Sequence, residues 1–117
     1  MRSKKNPKTL LELAGEVALS GSDLRHYHLG AVGVRADGTL VTARNGPALQ
    51  VSPSSHAEAR LARKLDVGSV VFVNRVLRDG GSASAKPCPR CEAALRASGV
   101  SRVYFTTATG IDSLDFS

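Results

Sequence analysis

The sequence predicts an α/β fold: a mixed sheet of about five strands covered by helices, in the order αββαβαββ. Three observations lead to this prediction. Helical segments are marked by apolar spacing or by a flanking Pro and Gly, an Asp-Gly pair joins two apolar segments, and further β-rich segments follow. The length of 117 residues is enough for one buried core, so we expect residues 1–117 to form a single domain.

The first predicted elements are a helix and a hairpin. Apolar residues at i, i+3, i+4, i+7 and i+8 predict a helix over residues 9–20, which the following Gly-Ser-Asp sequence ends. Residues 29–35 have the composition of a strand. The Asp-Gly turn at residues 36–39 then leads into an antiparallel strand over residues 40–43.

The middle of the chain predicts a second helix and a buried strand. Residues 45–55 are rich in turn-forming Pro, Ser and Gly, and helical spacing resumes from a start near His56. Residues 69–76 are rich in β-branched side chains, as in a buried strand. Residues 78–86 contain a Gly-Gly pair and are expected to form a loop.

The last third of the chain predicts a helix followed by two strands. Pro89 suits the first turn of a helix that runs to about residue 98, and Gly99 is a favoured residue just past a helix end. Residues 102–107 have the composition of a strand. Too little chain remains for another helix and strand, so we expect residues 111–116 to return as an antiparallel hairpin strand.

Composition limits the partners and the compartment. Sixteen Lys and Arg against ten Asp and Glu give a net charge of +6, which favours anionic partners such as nucleotides or nucleic acid. Part of this charge lies in residues 1–8, where we expect a flexible basic leader. No apolar run approaches the ~20 residues that cross a bilayer, which predicts a cytoplasmic protein without a membrane partner. Aromatic residues are only 4%, so a stabilising metal or an oligomer partner would support the core, and we expect a homo-oligomer.

Two short motifs carry the chemistry: His56-Ala57-Glu58 and Pro87-Cys88-Pro89-Arg90-Cys91. Cys88 lies thirty residues after Glu58. Together they match the H-x-E…P-C-x-x-C signature of zinc-dependent deaminases. Each motif alone is weak, because C-x-x-C also occurs in redox proteins and H-A-E occurs by chance in helices. Their combination is more specific, because each motif stands at the start of a predicted helix.

These residue types predict a catalytic Zn²⁺ site. Cys88 and Cys91, three residues apart in the first turn of a helix, can present both sulfurs on one side, and the helix N-terminus favours thiolates. With His56 as the third ligand, a fourth position is left for water, whose pKa zinc lowers to near neutral. Glu58 is then placed to take a proton from that water, deliver it to the ring nitrogen of the substrate and, in a later step, protonate the departing amine.

Each of these residues also has a purely structural interpretation. Ser55 and Glu58 have the spacing of a capping box, in which Glu58 only returns a hydrogen bond to the helix start. His56 could be an exposed or core imidazole, and Cys88 and Cys91 could be a buried pair of small apolar residues or a thiol–disulfide couple. The presence of all four chemical groups at helix starts favours the zinc site.

On these motifs the sequence resembles the cytidine and deoxycytidylate deaminase superfamily, from Leu29 to about Thr107. The resemblance implies the cytidine deaminase-like three-layer fold and zinc-dependent hydrolytic deamination of a nucleobase, usually cytosine. It also implies that Asn45 and the backbone N–H of Ala57 bind the substrate. Asn45 offers donors and an acceptor to a base or sugar, although it is equally a good turn residue before Gly46.

The substrate is less defined than the reaction. Ala59 and Arg60 stand where deoxycytidylate and tRNA adenosine deaminases often have a small apolar residue and Asn, and a short C-terminal hairpin looks more like the free-nucleoside branch. We therefore expect a small-molecule partner, a cytosine nucleoside or nucleotide, converted to the uracil form with release of ammonia. The net charge and the Arg, His and Tyr cluster at residues 25–28 leave open a polynucleotide cytosine or adenine deaminase. A third hypothesis, a non-catalytic zinc-binding interaction module, gives no role to Glu58.

Overall fold

The computed structural model describes residues 7–18, 27–44, 61–77, 82–87 and 89–116. Leu61 and Ala62 are helical and are followed by a turn. The other elements, in chain order, are α1 (Pro7–Ala18), β1 (Tyr27–Val34), β2 (Leu40–Arg44), β3 (Val70–Leu77), β4 (Ser82–Ala83), α2 (Pro89–Ala97), β5 (Arg102–Thr107) and β6 (Gly110–Asp115).

The strands of the described residues belong to one mixed sheet with the order β2-β1-β3-β5-β6, in which the short β4 pairs with β3. β1 is antiparallel to both β2 and β3, β3 is parallel to β5, and β5 is antiparallel to β6. Consequently β2, β3 and β5 all run in the same direction. The predicted mixed sheet is confirmed, as is the antiparallel final hairpin, in which Thr107 pairs with Gly110.

Side chains alternate along the strands and divide the core into two layers, one on each face of the sheet. On one face α1 packs against β1 and β3 through Leu10, Leu11, Ala14, Val32 and Phe72. On the other face a larger cluster surrounds Leu61 and also Leu95, which belongs to α2. The strand residues of this cluster are Ala31, Val71, Val73, Val103 and Phe105. The sheet is therefore covered on both sides, as the predicted three-layer fold requires.

α1 lies close against the sheet because Gly30 of β1 has no side chain. A Cβ atom at Gly30 would overlap the carbonyl oxygen of Ala14 and press on the backbone of Ala18. On the β3 side, Asn74 Nδ2 donates a hydrogen bond of 2.9 Å to the carbonyl oxygen of Leu11. Small residues and one side-chain hydrogen bond to the backbone therefore set the distance between helix and sheet.

Two elements begin earlier than the sequence predicts. α1 begins at Pro7, so Pro7 and Lys8 belong to the helix and not to the predicted basic leader. Proline is favoured at the first helical position, where the missing N–H costs no intrahelical hydrogen bond. β1 begins at Tyr27, two residues before the predicted start, because its antiparallel pairing with β3 extends to Leu77.

The prediction of a loop over residues 78–86 was wrong at β4. β3 continues to Leu77, whereas its parallel pairing with β5 ends at Val73. The far end of β3 therefore presents an edge that β5 does not cover, and buried backbone groups at such an edge need hydrogen-bond partners. β4 provides them by antiparallel pairing, with the register Arg75↔Ala83 and Val76↔Ser82.

The predicted end of α2 is confirmed. Gly99 has a φ of 91°, and the N–H of Val100 donates to the carbonyl oxygen of Leu95 at 3.2 Å, as in a glycine-terminated helix. The predicted second helix is described only at its end, Leu61 and Ala62, and its predicted start near His56 lies outside the described residues. No helix in the described part of the chain is long and apolar enough to cross a membrane.

A hydrogen-bonded cluster joins the β1–β2 turn to the chain just before β3. The Ser69 hydroxyl donates to Asp66 Oδ1 at 2.8 Å and accepts from the Asp66 N–H at 3.1 Å. The N–H of Ala36 donates to the same Oδ1 at 3.3 Å, and Arg35 Nε lies 3.6 Å from Asp66 Oδ2. The Ser69 hydroxyl, followed by the Ala36 N–H and the Arg35 charge, lowers the pKa of Asp66 below its ordinary value of 3.8.

We expect Ser69→Ala to lower the free energy of unfolding at neutral pH. We also expect the variant to lose less of that free energy than wild type when the pH is lowered. Because the pKa of Asp66 is lower in the folded state, its carboxylate stabilises the fold above pH 3.8, and this contribution is lost as the pH falls through the folded pKa. The variant should melt below wild type at about pH 7 and lose less stability than wild type between about pH 5 and pH 3. Melting temperatures measured across this range, with exposed Ser84→Ala as control, provide the test. An identical acid dependence in the variant would contradict the assignment.

Candidate functional site

The direction of the strands defines one edge of the sheet at which several elements meet. β2, β3 and β5 run the same way, so their last residues, Arg44, Leu77 and Thr107, lie toward one edge, called here the carboxyl edge. α2 connects β4 to β5 and must return the chain to the start of β5. α2 therefore begins at the carboxyl edge, which is where open α/β sheets bind their ligands.

The opposite edge, called here the amino edge, holds the ends of the helical segments together. The Ser98 hydroxyl lies 2.9 Å from the carbonyl oxygen of Ala62 and 3.0 Å from that of Ala94. The N–H of Gly68 donates to the carbonyl oxygen of Gly99 at 2.8 Å. The helical segment that contains Ala62 therefore ends beside the end of α2, on the same face of the sheet.

Cys91 is the member of the predicted zinc site that the structure describes. It is the third residue of α2, only 1% of its surface is exposed, and it is not disulfide-bonded. Leu95, one helical turn further on, is fully buried in the core between α2 and the sheet. Cys91 therefore lies on the inner side of α2, in its first turn and at the carboxyl edge.

The surroundings of Cys91 suit a zinc ion. The helix N-terminus stabilises negative charge and therefore the thiolate form of cysteine, which is the form that ligates zinc. Pro87, just before Cys88, is buried, whereas Lys86 and Arg90 are exposed. The residue before Cys88 is thus anchored in the interior, while the two cations lie at the surface.

The remaining predicted site residues lie outside the described residues: Asn45, His56, Ala57, Glu58 and Cys88. Their described neighbours are Arg44, which ends β2 at the carboxyl edge, and Leu61, three residues after Glu58. Within the described ranges, no group of three or more His, Cys, Asp or Glu residues is close enough to hold a metal ion. The predicted ligand set and the substrate contacts at Asn45 and Ala57 remain predictions.

The structure also describes residues at the carboxyl edge to which sequence reasoning gave no role. Arg75 and Thr106 lie near the ends of β3 and β5 and contact the segment that leads to Cys88. Alternation along β3 provides a signal for Arg75, because it follows Val71 and Val73 at every second position and thus shares their buried face. Of the basic cluster at residues 25–28, Tyr27 and the residue after it open β1 at the same edge.

Comparisons with known proteins give a family and a similar fold. A family model described as the cytidine and deoxycytidylate deaminase zinc-binding region matches residues 4–107. Among solved structures, cytidine deaminase from Mycobacterium leprae has a TM-score of 0.61 and 24% identity, over 94% of this chain and 94% of that chain. Cytidine deaminase from Mycobacterium tuberculosis has a TM-score of 0.61 and 20% identity, over 92% of this chain and 89% of that chain. A comparison with curated protein sequences gave no match.

Proposed function

Because the chain belongs to the cytidine and deoxycytidylate deaminase zinc-binding family, we propose that it is a zinc-dependent hydrolase that deaminates a cytosine nucleoside or nucleotide to the uracil form. The observation that carries the proposal is the position of Cys91. A buried cysteine in the first turn of a helix, at the carboxyl edge of the sheet, is where a catalytic thiolate ligand is expected.

The proposed zinc ligands are His56, Cys88 and Cys91. Cys88 directly precedes α2, so both sulfurs belong to the start of one helix, where the N–H groups and the helix dipole favour thiolates. Three protein ligands leave one coordination position for water or substrate. Bound zinc supplies Lewis-acid activation of water at that position.

Glu58 is the proposed proton carrier. Its carboxylate takes one proton from the attacking water and delivers it to the ring nitrogen of the base. It then takes the remaining proton from the added hydroxyl and passes it to the amine, so that the carbonyl forms as the C–N bond breaks and ammonia leaves. The segment after Glu58 supports this role, because Leu61 is fully buried under the sheet face that α2 also covers. A helix anchored there would keep the carboxylate in a fixed position.

Asn45 and the backbone N–H of Ala57 are the proposed substrate contacts. Asn45 directly follows Arg44, the last residue of β2, and the chain leaves β2 at the carboxyl edge. An amide side chain there can both donate to and accept from a sugar or a base. The N–H of Ala57 would donate to the base carbonyl.

A second candidate function is deamination of a polynucleotide. It is favoured by the net charge of +6 and by the exposure of Lys86, two residues before Cys88, and of Arg90, which lies between the two cysteines in the sequence. Exposed cations beside a site can contact either the phosphate of a nucleotide or the backbone of a single strand. A non-catalytic zinc-binding module is the third candidate, and it leaves Glu58 without a function.

The zinc assignment predicts about one zinc per chain in protein purified under reducing, metal-replete conditions. Cys88→Ser and Cys91→Ser should each lose most of it, because two remaining protein ligands hold the ion poorly. Elemental analysis of the purified proteins is the measurement, and Ala93→Ser, on the exposed side of α2, is the matched control. Full zinc retention in both cysteine variants would refute the ligand assignment.

Glu58→Gln distinguishes a role of Glu58 in proton transfer from a structural role in a capping box. The amide keeps the size of the side chain and can still serve a capping box, so zinc content and melting temperature should match wild type. Turnover should fall by at least ~10²-fold, because an amide cannot accept and return a proton. Glu92→Gln on α2 is the control, since Glu92 pairs only with Arg96 in the described residues. Near-normal turnover in zinc-loaded Glu58→Gln would exclude the proton-carrier role.

The substrate class can be determined by measuring ammonia release from a panel of compounds: cytosine, cytidine, deoxycytidine, their monophosphates, guanine, adenosine and single-stranded DNA. We expect turnover with a cytosine nucleoside or monophosphate and only a modest rise of KM with salt. A polynucleotide deaminase would instead act on the single strand and lose affinity steeply with salt, because several phosphates are neutralised. A zinc-loaded protein inactive on the whole panel would favour the interaction module.

A further inference from the structure

The segment that leads to the cysteines lies between the ends of two strands. β3 and β5 pair in parallel only as far as Val73↔Phe105. Beyond that point β4 pairs with β3, and the N–H of Ala85 donates to the carbonyl oxygen of Thr106 in β5 at 2.8 Å. Residues 82–87 therefore run between β3 and β5 at the carboxyl edge and end directly before Cys88.

Arg75 contacts both β5 and the segment of residues 82–87. Its backbone pairs with Ala83, and its N–H donates to Thr106 Oγ1 at 3.3 Å. Its side chain reaches further along the same segment, because Nη1 donates to the carbonyl oxygen of Ser84 at 3.4 Å. One residue thus connects β3 to β5 and also to the segment between them.

The position of Arg75 also places a fixed positive charge near the start of α2. Arg75 follows Val71 and Val73 on the sheet face that α2 covers, and it is half-buried. Its charge is therefore on the side of the sheet, and toward the edge, at which Cys91 is buried.

We propose that Arg75 and Thr106 are positioning residues for the zinc site: they fix residues 82–87 and thereby the approach of Cys88 and Cys91 to the metal. This inference rests on the proposed zinc ligation by these two cysteines. A segment held by β3 and β5 is already ordered before zinc binds, so less conformational entropy is lost on binding. Loss of the contact between Arg75 and Ser84 frees this segment directly, and loss of the Thr106 Oγ1 acceptor frees the Arg75 N–H next to it. Each change therefore adds to the entropy cost of zinc binding and weakens zinc affinity.

The test compares zinc affinity with overall stability in the full chain. Zinc dissociation constants are measured by competition with a chromophoric chelator, and the protein is also loaded with Co²⁺ to record its thiolate charge-transfer band. Melting temperatures are measured on the same samples. Activity is not needed for any of these readouts, so the result does not depend on the substrate.

Four variants separate positioning from general destabilisation. Arg75→Met removes the guanidinium and keeps the stem, and Thr106→Val removes the Oγ1 acceptor and keeps the shape. Thr106→Ser restores that oxygen. Arg102→Met is the matched control, because Arg102 is also half-buried on a strand but donates to Ser113 and Asp115.

We expect Arg75→Met and Thr106→Val each to weaken zinc binding by about 10-fold or more and to alter the cobalt band, as changes to residues that orient metal ligands do. Thr106→Ser and Arg102→Met should bind zinc as wild type does. Unchanged affinity in both Arg75→Met and Thr106→Val would overturn the proposal while leaving the zinc site intact. An equal loss in Arg102→Met would also overturn it, because the effect would then follow stability.

Two further outcomes are distinguishable. If Arg75→Met does not fold, the zinc affinities of Thr106→Val and Thr106→Ser provide the test. These two variants differ in the hydroxyl acceptor, which only the serine has, and in size by one methyl group. If wild-type protein prepared with zinc and reductant binds none, the proposed ligation itself fails, and the role of Arg75 fails with it.

Discussion

The parallel pairing of β3 with β5 is the constraint on which the rest of the structure depends. Two parallel neighbours cannot be joined by a short turn, so the chain must leave β3 at the carboxyl edge and return to the amino edge before β5 begins. α2 makes that return, held against the sheet by Leu95. Because a helix used in this way must start where β3 ends, its first turn, with Cys91, is brought to the carboxyl edge.

The same constraint explains why the two faces of the sheet are built differently. The face that α2 shares with Leu61 is a broad aliphatic layer that reaches across β1, β3 and β5. The other face is covered by α1, which lies close to the strands because Gly30 has no side chain. On that face Phe72 of β3 and Tyr104 of β5 stack with their ring centroids 5.1 Å apart. Cys91 at the carboxyl edge therefore belongs to the first face, while α1 supports the sheet from the other.

Local patterns predicted those elements whose cause is local. The Asp-Gly turn, the Pro89 and Gly99 limits of α2 and the short return into β6 each follow from a few adjacent residues, and the structure agrees with all three. β4 was missed because it forms only where β3 extends beyond its pairing with β5, and this depends on the lengths of two strands that are distant in sequence. The contacts of Arg75 were missed for the same reason. Of the candidate site, Cys91 could be placed by its helix start, whereas the ligand geometry depends on residues outside the described ranges.

The two edges of the sheet join different parts of the chain, so substitutions at them should have different effects. The amino edge is closed by short hydrogen bonds between turns, such as Gly68 to Gly99 at 2.8 Å and Ser101 to Ser69 at 2.9 Å. The carboxyl edge is joined by the Ala85 N–H, 2.8 Å from the carbonyl oxygen of Thr106, and by two contacts of Arg75, at 3.3 and 3.4 Å. Because the turns of the amino edge connect the end of α2 and the starts of β3 and β5, substitutions there should alter the stability of the whole domain, as is the case at the amino-terminal face of TIM barrels. Substitutions at the carboxyl edge should act mainly on the site, because the strands below it are already fixed by the pairing of β3 with β5.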